Sequence, residues 1–361
     1  MGFGPFTKRS YMGLDIGHYS IKIVQIERTQ AGWRITRTAS APTPDDAVKE
    51  CVVIDPEVLG VAIKDLIKSS GISASSAFVA VAGGPVVVRN VRIPKMPEVT
   101  LRKSIRFEAS RYVPSSIEDS YIEFEILGEH EDGTMDVIIV AAPRDMVDSR
   151  LKACELAGLE VEAVDVEPFA AYRSLVEAAN DNDYFNSPIV LVDIGSTMTN
   201  MSVVEAGNFS MTRSISSGGQ TMTDALKSYF KLSSGDAESG KSQLNVIELL
   251  DEQPKENPPL RIIQHHIDDL VREIRRSLNY YQSQQNETSG NKNISGLVIC
   301  GGGAKMQGLT EYIAEKLGVK AISAGVFDNP RFSYGGSDEP GRGLDLAVAS
   351  GLAMRAFSKA A

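Results

Sequence analysis

The feature that most constrains the fold of this chain is an internal duplication. A strand pattern, the tripeptide Asp-Ile-Gly, a turn of small residues and a second strand pattern occur in GLDIGHYSIKIVQI at 13–26 and again in LVDIGSTMTNMSVV at 191–204. The recurrence of a whole strand–turn–strand unit indicates two related halves. Strand and helix patterns alternate along the rest of the sequence, which predicts an α/β fold.

Both Asp-Ile-Gly turns have the features of a phosphate-binding hairpin. Gly17 and Gly195 lack a Cβ, so the backbone can approach a ligand closely, and successive N–H groups in such a turn form a cradle for phosphate oxygens. Asp15 and Asp193, at the strand ends, are suited to hold a hydrated Mg²⁺ through water. Lys22, on the returning strand, can point back to the phosphates. The other predicted phosphate-binding residues are His18, Tyr19, Ser20, Ser196, Thr197 and Thr199.

A run of three glycines follows a third buried strand pattern. Ile294–Cys300 leads directly into Gly301, Gly302 and Gly303, and a helix-forming run comes next. Bare backbone near a helix start allows a flat base or ribose to lie against it. A glycine turn after a strand is common, so this motif alone is weak evidence of a ligand site. Its position after the two hairpins is what favours a role in binding a base or ribose.

The composition excludes several classes of function. The chain carries 37 basic and 47 acidic side chains, a net charge of −10, which argues against nucleic acid as the main partner. Its three widely spaced cysteines provide neither a disulfide framework nor a metal-binding pair. No apolar stretch approaches the roughly 20 residues of a membrane-spanning helix, and the first residues lack a signal-peptide pattern. We therefore expect a soluble cytoplasmic protein.

The patterns predict one inserted αβ module, and the family resemblance given in the next paragraph implies two core subdomains and one outer subdomain around it. Their expected ranges are 1–84 with 161–180 and 335–361 for the first core, 85–160 for the inserted module, 187–217 with 290–334 for the second core, and 218–289 for the outer subdomain. Each core is expected to contain a five-stranded type of sheet. The segment Ser233–Ser242 is predicted to be a polar loop.

These motifs, in this order, resemble the superfamily of actin, the sugar kinases and the heat-shock chaperone ATPases. Residues 13–22 and 191–200 look like its two phosphate loops, 296–309 like its adenosine motif, and 164–175 and 344–357 like its two connecting helices. The resemblance implies an actin-like ATPase fold, in which duplicated ribonuclease H-like halves surround a nucleotide cleft, with ATP and Mg²⁺ as ligands. It also implies that Glu167 orients an attacking water, and that Glu238 and Lys241 contact ribose and adenine.

A narrower resemblance is to the PilM family, the actin-like cytoplasmic proteins of type IV pilus assembly. The module at 85–160 is similar to FtsA rather than to actin, and residues 93–114, 141–173 and 225–238 look like PilM. This resemblance implies an ATP-binding scaffold with at most slow hydrolysis, located at the inner membrane through its partners. The implied partners are the cytoplasmic N-terminal tail of the membrane protein PilN and the pilus motor ATPases.

Two alternatives remain open from the sequence. The first is an FtsA-like cell-division or cytoskeletal ATPase, although FtsA carries a C-terminal amphipathic membrane helix and this sequence stops at RAFSKAA. The second is a P-loop NTPase, because Gly235–Ser242 matches G-x-x-x-x-G-K-[ST]. A P-loop needs a buried strand immediately before it, whereas ALKSYFKLSS has the pattern of an amphipathic helix. Asp236 and Glu238 would also place two negative charges in an anion cradle.

Overall fold

The computed structural model describes residues 11–113, 116–179, 188–251, 256–284, 294–336 and 341–358. The chain forms two compact units. Unit 1 comprises Met1–Val81, Met146–Ala179 and Gly325–Ala361, and unit 2 comprises Ala82–Asp145 and Asn180–Ala324. The division into four subdomains stays a prediction, and its boundaries at 180, 187 and 290 lie outside the described residues. No helix in the described ranges has the length and apolar character needed to cross a membrane.

The secondary structure alternates between strands and helices, as the sequence predicts. The strands are β1 Tyr11–Ile16, β2 Ser20–Arg28, β3 Trp33–Pro42, β4 Val48–Lys49, β5 Val52–Val53, β6 Ser76–Val81, β7 Val87–Pro94, β8 Ser120–Glu129, β9 Thr134–Pro143, β10 Glu160–Val166, β11 Ile189–Ile194, β12 Thr199–Glu205, β13 Asn208–Ile215, β14 Gly296–Cys300, β15 Ala321–Ser323 and β16 Phe332–Tyr334. The helices are α1 Pro56–Ser70, α2 Glu98–Ala109, α3 Arg144–Leu156, α4 Glu167–Tyr172, α5 Gly219–Phe230, α6 Ser234–Ser242, α7 Pro258–Gln284, α8 Leu309–Leu317 and α9 Ala347–Arg355.

Unit 1 is built on a six-stranded sheet in the order β10-β6-β1-β2-β3-β16. Strand β6 is buried along its whole length, as expected for a parallel strand covered on both faces. Helix α1 begins at Asp55, whose side chain accepts a hydrogen bond from the N–H of Val58, and ends at Gly71 with φ of 67°. The sheet has one strand more than predicted because the short β16 pairs with β3.

Close backbone contacts fix helices α4 and α9 within unit 1. A Cβ on Gly351 would lie 1.7 Å from the carbonyl oxygen of Ala170, so only glycine allows the two helices to approach so closely. The buried carboxylate of Asp165 accepts from Arg173 at 3.0 Å and from Arg355 at 2.8 Å. These contacts hold the end of β10 and therefore the start of α4, where Glu167 lies.

Unit 2 contains a five-stranded sheet in the order β13-β12-β11-β14-β15, as predicted for this half. Strand β11 pairs antiparallel with β12 and parallel with β14. The long helix α7 covers this sheet with an apolar stripe that the sequence pattern predicts, made of Ile263, Ile267, Leu270, Ile274 and Leu278.

The inserted module contributes a second sheet to unit 2. Strands β7, β9 and β8 form an antiparallel sheet in that order, and α2 packs on it through Leu101, Ile105 and Ala109. The side chain of Asn90 on β7 donates to the carbonyl oxygen of Phe209 on β13 at 2.7 Å. This hydrogen bond joins the module to the five-stranded sheet. Residues Met146–Leu156 of helix α3, although they fall within the range predicted for the module, belong to unit 1 and pack in its core.

The segment predicted to be a polar loop is a helix. Residues Ser234–Ser242 form α6, and Ser233 caps its start by accepting from the N–H of Asp236 at 3.1 Å. Helix α5 precedes it, where a P-loop would need a strand. The alternative of a P-loop NTPase through Gly235–Ser242 is therefore wrong, because a P-loop is an open glycine-rich loop between a strand and a helix, whereas Gly235–Ser242 lies within a helix that follows another helix.

Candidate functional site

The two Asp-Ile-Gly hairpins have the same local geometry. In the β1–β2 hairpin, Asp15 lies opposite Lys22 and the N–H of Gly17 donates to the carbonyl of Ser20 at 3.2 Å. In the β11–β12 hairpin, Asp193 lies opposite Asn200 and the N–H of Gly195 donates to Met198 at 2.9 Å. A Cβ on either glycine would lie 2.9 Å from the carbonyl oxygen that accepts this bond. The duplication seen in the sequence is thus a duplication of structure.

The tips of both hairpins present backbone donors. In the described part of the chain, the N–H groups of His18 and Tyr19 donate to no acceptor, and the same holds for Ser196 and Thr197. Successive N–H groups of this kind form an anion-binding concavity. Phosphate binding at the two tips stays a prediction with which this geometry is compatible.

Side chains of the first hairpin are held by contacts within unit 1. The ammonium group of Lys22 lies 3.0 Å from a carboxylate oxygen of Asp15, and these side chains are only 12% and 10% exposed. His18 contacts the carbonyl oxygen of Val48 through Nδ1 at 3.0 Å. Lys22 and Asp15 therefore form a nearly buried ion pair directly below the hairpin tip, and Tyr19 is exposed at that tip.

The glycine run after β14 packs against the second hairpin. A Cβ on Gly301, which has a φ of 91°, would lie 2.2 Å from Oδ1 of Asp193, and one on Gly303 would lie 2.4 Å from Ile194. Gly302 differs, because it is exposed and a Cβ there would meet nothing within 4 Å. Packing thus explains two of the three glycines, and Gly302 is the position that a ligand can approach.

The carboxylate of Asp193 also affects the pKa of a neighbouring thiol in the sheet. Cys300 lies opposite Asp193 in the parallel pairing of β11 with β14. Burial raises the pKa of the Cys300 thiol well above its usual value, and the Asp193 carboxylate raises it further. Cys300 is consequently an inert, protonated thiol beside the carboxylate.

Helix α5 begins at the second hairpin, an arrangement that the sequence analysis missed. The N–H groups of Gly219 and Gln220 donate to the carbonyls of Gly195 and Ser196 at 3.0 and 2.8 Å. Thr199 donates through its hydroxyl to Ser217 at 2.7 Å. The positive end of a helix dipole therefore lies beside this hairpin, which favours an anion there. The glycine pair at 218–219 before an amphipathic helix was the available signal.

Lys241 and Glu238 form a compact network with α5. The Lys241 ammonium group donates to Glu238 at 2.6 Å, to the hydroxyl of Thr223 at 2.9 Å and to the carbonyl of Gly219 at 3.1 Å. Thr223 also donates to Glu238 at 2.5 Å. Three acceptors match the three donors of an ammonium group. The network ties α6 to the start of α5, and contact of either side chain with ribose or adenine stays a prediction.

Glu167, the residue predicted to orient water, lies near a buried cation. Glu167 is the half-buried first residue of α4. Arg150 on α3 is 1% exposed, and burial lowers the pKa of its guanidinium while the charge of Glu167 opposes that shift most strongly. Sequence reasoning missed Arg150, although a charge in the apolar stripe of Met146, Val147, Ala153 and Cys154 was a detectable signal.

The described residues offer few direct metal ligands. Within those ranges no group of three or more His, Cys, Asp or Glu side chains is arranged to hold a metal ion. Asp15 and Asp193 are single carboxylates on different units. A single carboxylate at each hairpin fits Mg²⁺ held through its water molecules and does not fit an all-protein cage.

The two duplicated α/β units, their phosphate-binding type of hairpin and the FtsA-like inserted module define an actin-like ATPase fold. A family model described as type IV pilus assembly protein PilM matches residues 13–357. The chain therefore belongs to the PilM family.

Individual relatives agree with this assignment. A solved PilM-PilN type IV pilus biogenesis complex is 25% identical, covers 96% of this chain and 98% of its own, and superposes with a TM-score of 0.81. The cell division protein FtsA of Streptococcus pneumoniae is 22% identical over 86% of this chain and 74% of its own length. MreB5 of Spiroplasma citri bound to AMPPNP is 13% identical, over 98% and 96% of the two chains, with a TM-score of 0.56.

Proposed function

We propose that this protein is an ATP-binding scaffold of the type IV pilus inner-membrane assembly complex. In this role it binds the cytoplasmic N-terminal tail of a PilN-like membrane protein and links it to the pilus motor ATPases. The observation that carries the proposal is the similarity, over 96% of the chain, to a protein solved as a PilM-PilN complex. Family membership over residues 13–357 supports the same pathway.

A peptide titration tests the scaffold role. A synthetic peptide with the N-terminal tail sequence of the PilN-like protein from the same genome is titrated into this chain by calorimetry, with a scrambled peptide as control. We expect saturable binding of the native tail only. Equal binding of both peptides, or of neither, contradicts the proposed partner.

The proposed cofactor is ATP with Mg²⁺. The tip N–H groups of His18 and Tyr19, and those of Ser196 and Thr197, would bind phosphate oxygens. Asp15 and Asp193 would accept hydrogen bonds from the water shell of the metal, which supplies charge neutralisation to the phosphates. The similarity of the fold to MreB5 bound to AMPPNP supports a nucleotide ligand.

Hydrolysis, if the scaffold performs it, would depend on Glu167. Phosphoryl transfer to water needs an oriented nucleophile in line with the leaving group. The Glu167 carboxylate, at the first position of α4, is the group proposed to accept a hydrogen bond from that water. We expect at most slow turnover, because a scaffold needs only the bound state.

Substitution of the two hairpin aspartates tests the nucleotide site. Asp15→Asn and Asp193→Asn each keep the side-chain shape and remove the charge that orients the hydrated metal, so we expect each to weaken Mg·ATP binding by about tenfold or more. Asp65→Asn, on the exposed face of α1, is the matched control and should bind like the wild type. Calorimetry that finds wild-type affinity in both hairpin variants would rule out this site.

A further inference from the structure

Helix α2 of the inserted module has an exposed face that the proposed function leaves without a role. Its other side packs on the module's sheet through an apolar stripe. Because residues three and four positions apart lie on one side of a helix, four exposed positions form a second stripe, which we call the outer face of α2. Its members are Val99, Lys103, Arg106 and Phe107.

The outer face of α2 exposes two large apolar side chains. Val99 is 70% exposed and Phe107 is 65% exposed, and eight residues of helix place them about 12 Å apart along the axis. The guanidinium of Arg111, which pairs with Glu108 at 3.2 Å, lies over the Phe107 ring at 5.4 Å from its centroid. Two exposed apolar side chains on one stripe, with cations between and beside them, indicate a binding surface.

The two cations of the outer face keep their charge unpaired. In the described part of the chain, neither Lys103 nor Arg106 forms an ion pair with a carboxylate. Arg106 donates to the carbonyl of Ile117 at 2.8 Å, which fixes the guanidinium without neutralising it. On the neighbouring strand β7, in contrast, Arg92 pairs with Asp136 at 3.1 Å. The outer face is therefore locally positive.

Charge is also segregated along the sequence of the module. Residues 89–111 contain seven Lys or Arg and two Glu, a net charge of +5, whereas residues 118–136 contain eight Asp or Glu and no Lys or Arg. The whole chain has a net charge of −10, so it has no general attraction to an anionic surface. A local positive face on such a protein orients it at an anionic surface. Charge complementarity thus selects an anionic partner for the outer face.

We propose that the outer face of α2 docks on the surface of an anionic lipid bilayer. Lys103 and Arg106 contact lipid phosphates, and Val99 and Phe107 insert at the boundary between headgroups and acyl chains. Basic and apolar side chains on one helix anchor proteins at a membrane interface in this way. The flank of a helix is convex and fits a plane, whereas peptides are bound in grooves and along strand edges. The contact is independent of the nucleotide site and of the PilN-like tail.

Vesicle sedimentation tests the proposal. Vesicles of equal parts phosphatidylethanolamine and phosphatidylglycerol are compared with neutral phosphatidylcholine vesicles. We expect binding to the anionic vesicles only, and weaker binding at about 0.5 M salt, which screens the lipid charge. Lys103→Glu and Phe107→Ser should each weaken binding by about tenfold or more. Lys64→Glu, the same charge reversal at an exposed position of α1, is the matched control and should bind like the wild type.

A tryptophan reporter identifies what the outer face contacts. The sequence contains one tryptophan, Trp33, so Phe107→Trp in a Trp33→Phe background places a single tryptophan on the outer face. We expect anionic vesicles to shift its emission to the blue and to protect it from acrylamide quenching. Tyr229→Trp in the same background, at an exposed aromatic position of α5, should show neither effect. Emission at position 107 that vesicles leave unchanged would overturn the proposal.

Two other occupants of the outer face would give distinct results. A blue shift that grows with protein concentration in the absence of vesicles, together with a sedimentation mass that Lys103→Glu reduces, would identify a second copy of this chain. A shift with polyglutamate and none with vesicles would identify an acidic protein segment. Either result overturns the membrane contact. Neither affects the proposed function, because nucleotide and tail-peptide binding are measured without lipid.

Discussion

At the scale of single residues, the structure shows partners of the two predicted cations that the sequence does not reveal. Lys22, predicted to reach the phosphates, is paired with Asp15, and Lys241 uses its donors on three acceptors inside unit 2. Neither pairing can be read from spacing along the chain, because both depend on which side chains burial brings together. The residue types were predictable and their partners were not.

Substitution of Lys241 separates a structural from a nucleotide-binding role. Lys241→Met keeps the length of the side chain but removes the ammonium donor from Glu238, Thr223 and the carbonyl of Gly219, so we expect a loss of about 2 kcal/mol in the free energy of unfolding. We expect a smaller effect on ATP affinity than that of Asp15→Asn. Lys227→Met, an exposed lysine on α5, is the matched control. Chemical denaturation and calorimetry give the two quantities. Loss of ATP binding with an unchanged free energy of unfolding would show that Lys241 binds the nucleotide directly.

At the scale of secondary-structure elements, local patterns predicted most of the architecture. The strand–turn–strand duplication predicted both hairpins, and the apolar stripe predicted α7, because these features depend on periods within one element. Helix α6 was missed because SGDAESGKS contains two glycines and few apolar residues. Its helix is stabilised by the Ser233 cap and by contacts of Ala237 and Lys241 with the rest of unit 2. Tertiary contacts of this kind leave no pattern in a short segment of the sequence.

The glycine run after β14 gives a test at this scale. Gly301→Ala would place a Cβ against Asp193 at a φ of 91°, so we expect a loss of about 2 kcal/mol or more in stability. Gly302→Ala has a helical φ of −63° and open space, so its stability should equal that of the wild type. If the exposed backbone at Gly302 contacts the nucleoside, Gly302→Ala will weaken ATP binding without unfolding the protein. Unchanged affinity in a stable Gly302→Ala protein would remove this turn from the proposed site.

At the scale of the whole molecule, two units with the same hairpin geometry share one chain. Each unit has its own buried core, and the chain passes between the units more than once. The residues of the two hairpins are therefore held by two different cores. This connectivity suits a scaffold, because the binding of one ligand can change the affinity for another without any chemical step.

If the scaffold proposal is right, nucleotide and tail peptide should be thermodynamically coupled. We expect Mg·ATP to change the affinity for a PilN-like tail peptide by about 1–3 kcal/mol, which is about 5- to 150-fold, and the peptide to change the affinity for Mg·ATP by the same factor. Glu167→Ala should abolish any slow hydrolysis and leave this coupling intact, because binding equilibria need no turnover. Calorimetric titrations of each ligand in the presence and absence of the other measure four affinities for the wild type and four for Glu167→Ala. Peptide binding that collapses in Glu167→Ala despite normal ATP affinity would show that turnover is required, and the protein would then act as a working ATPase.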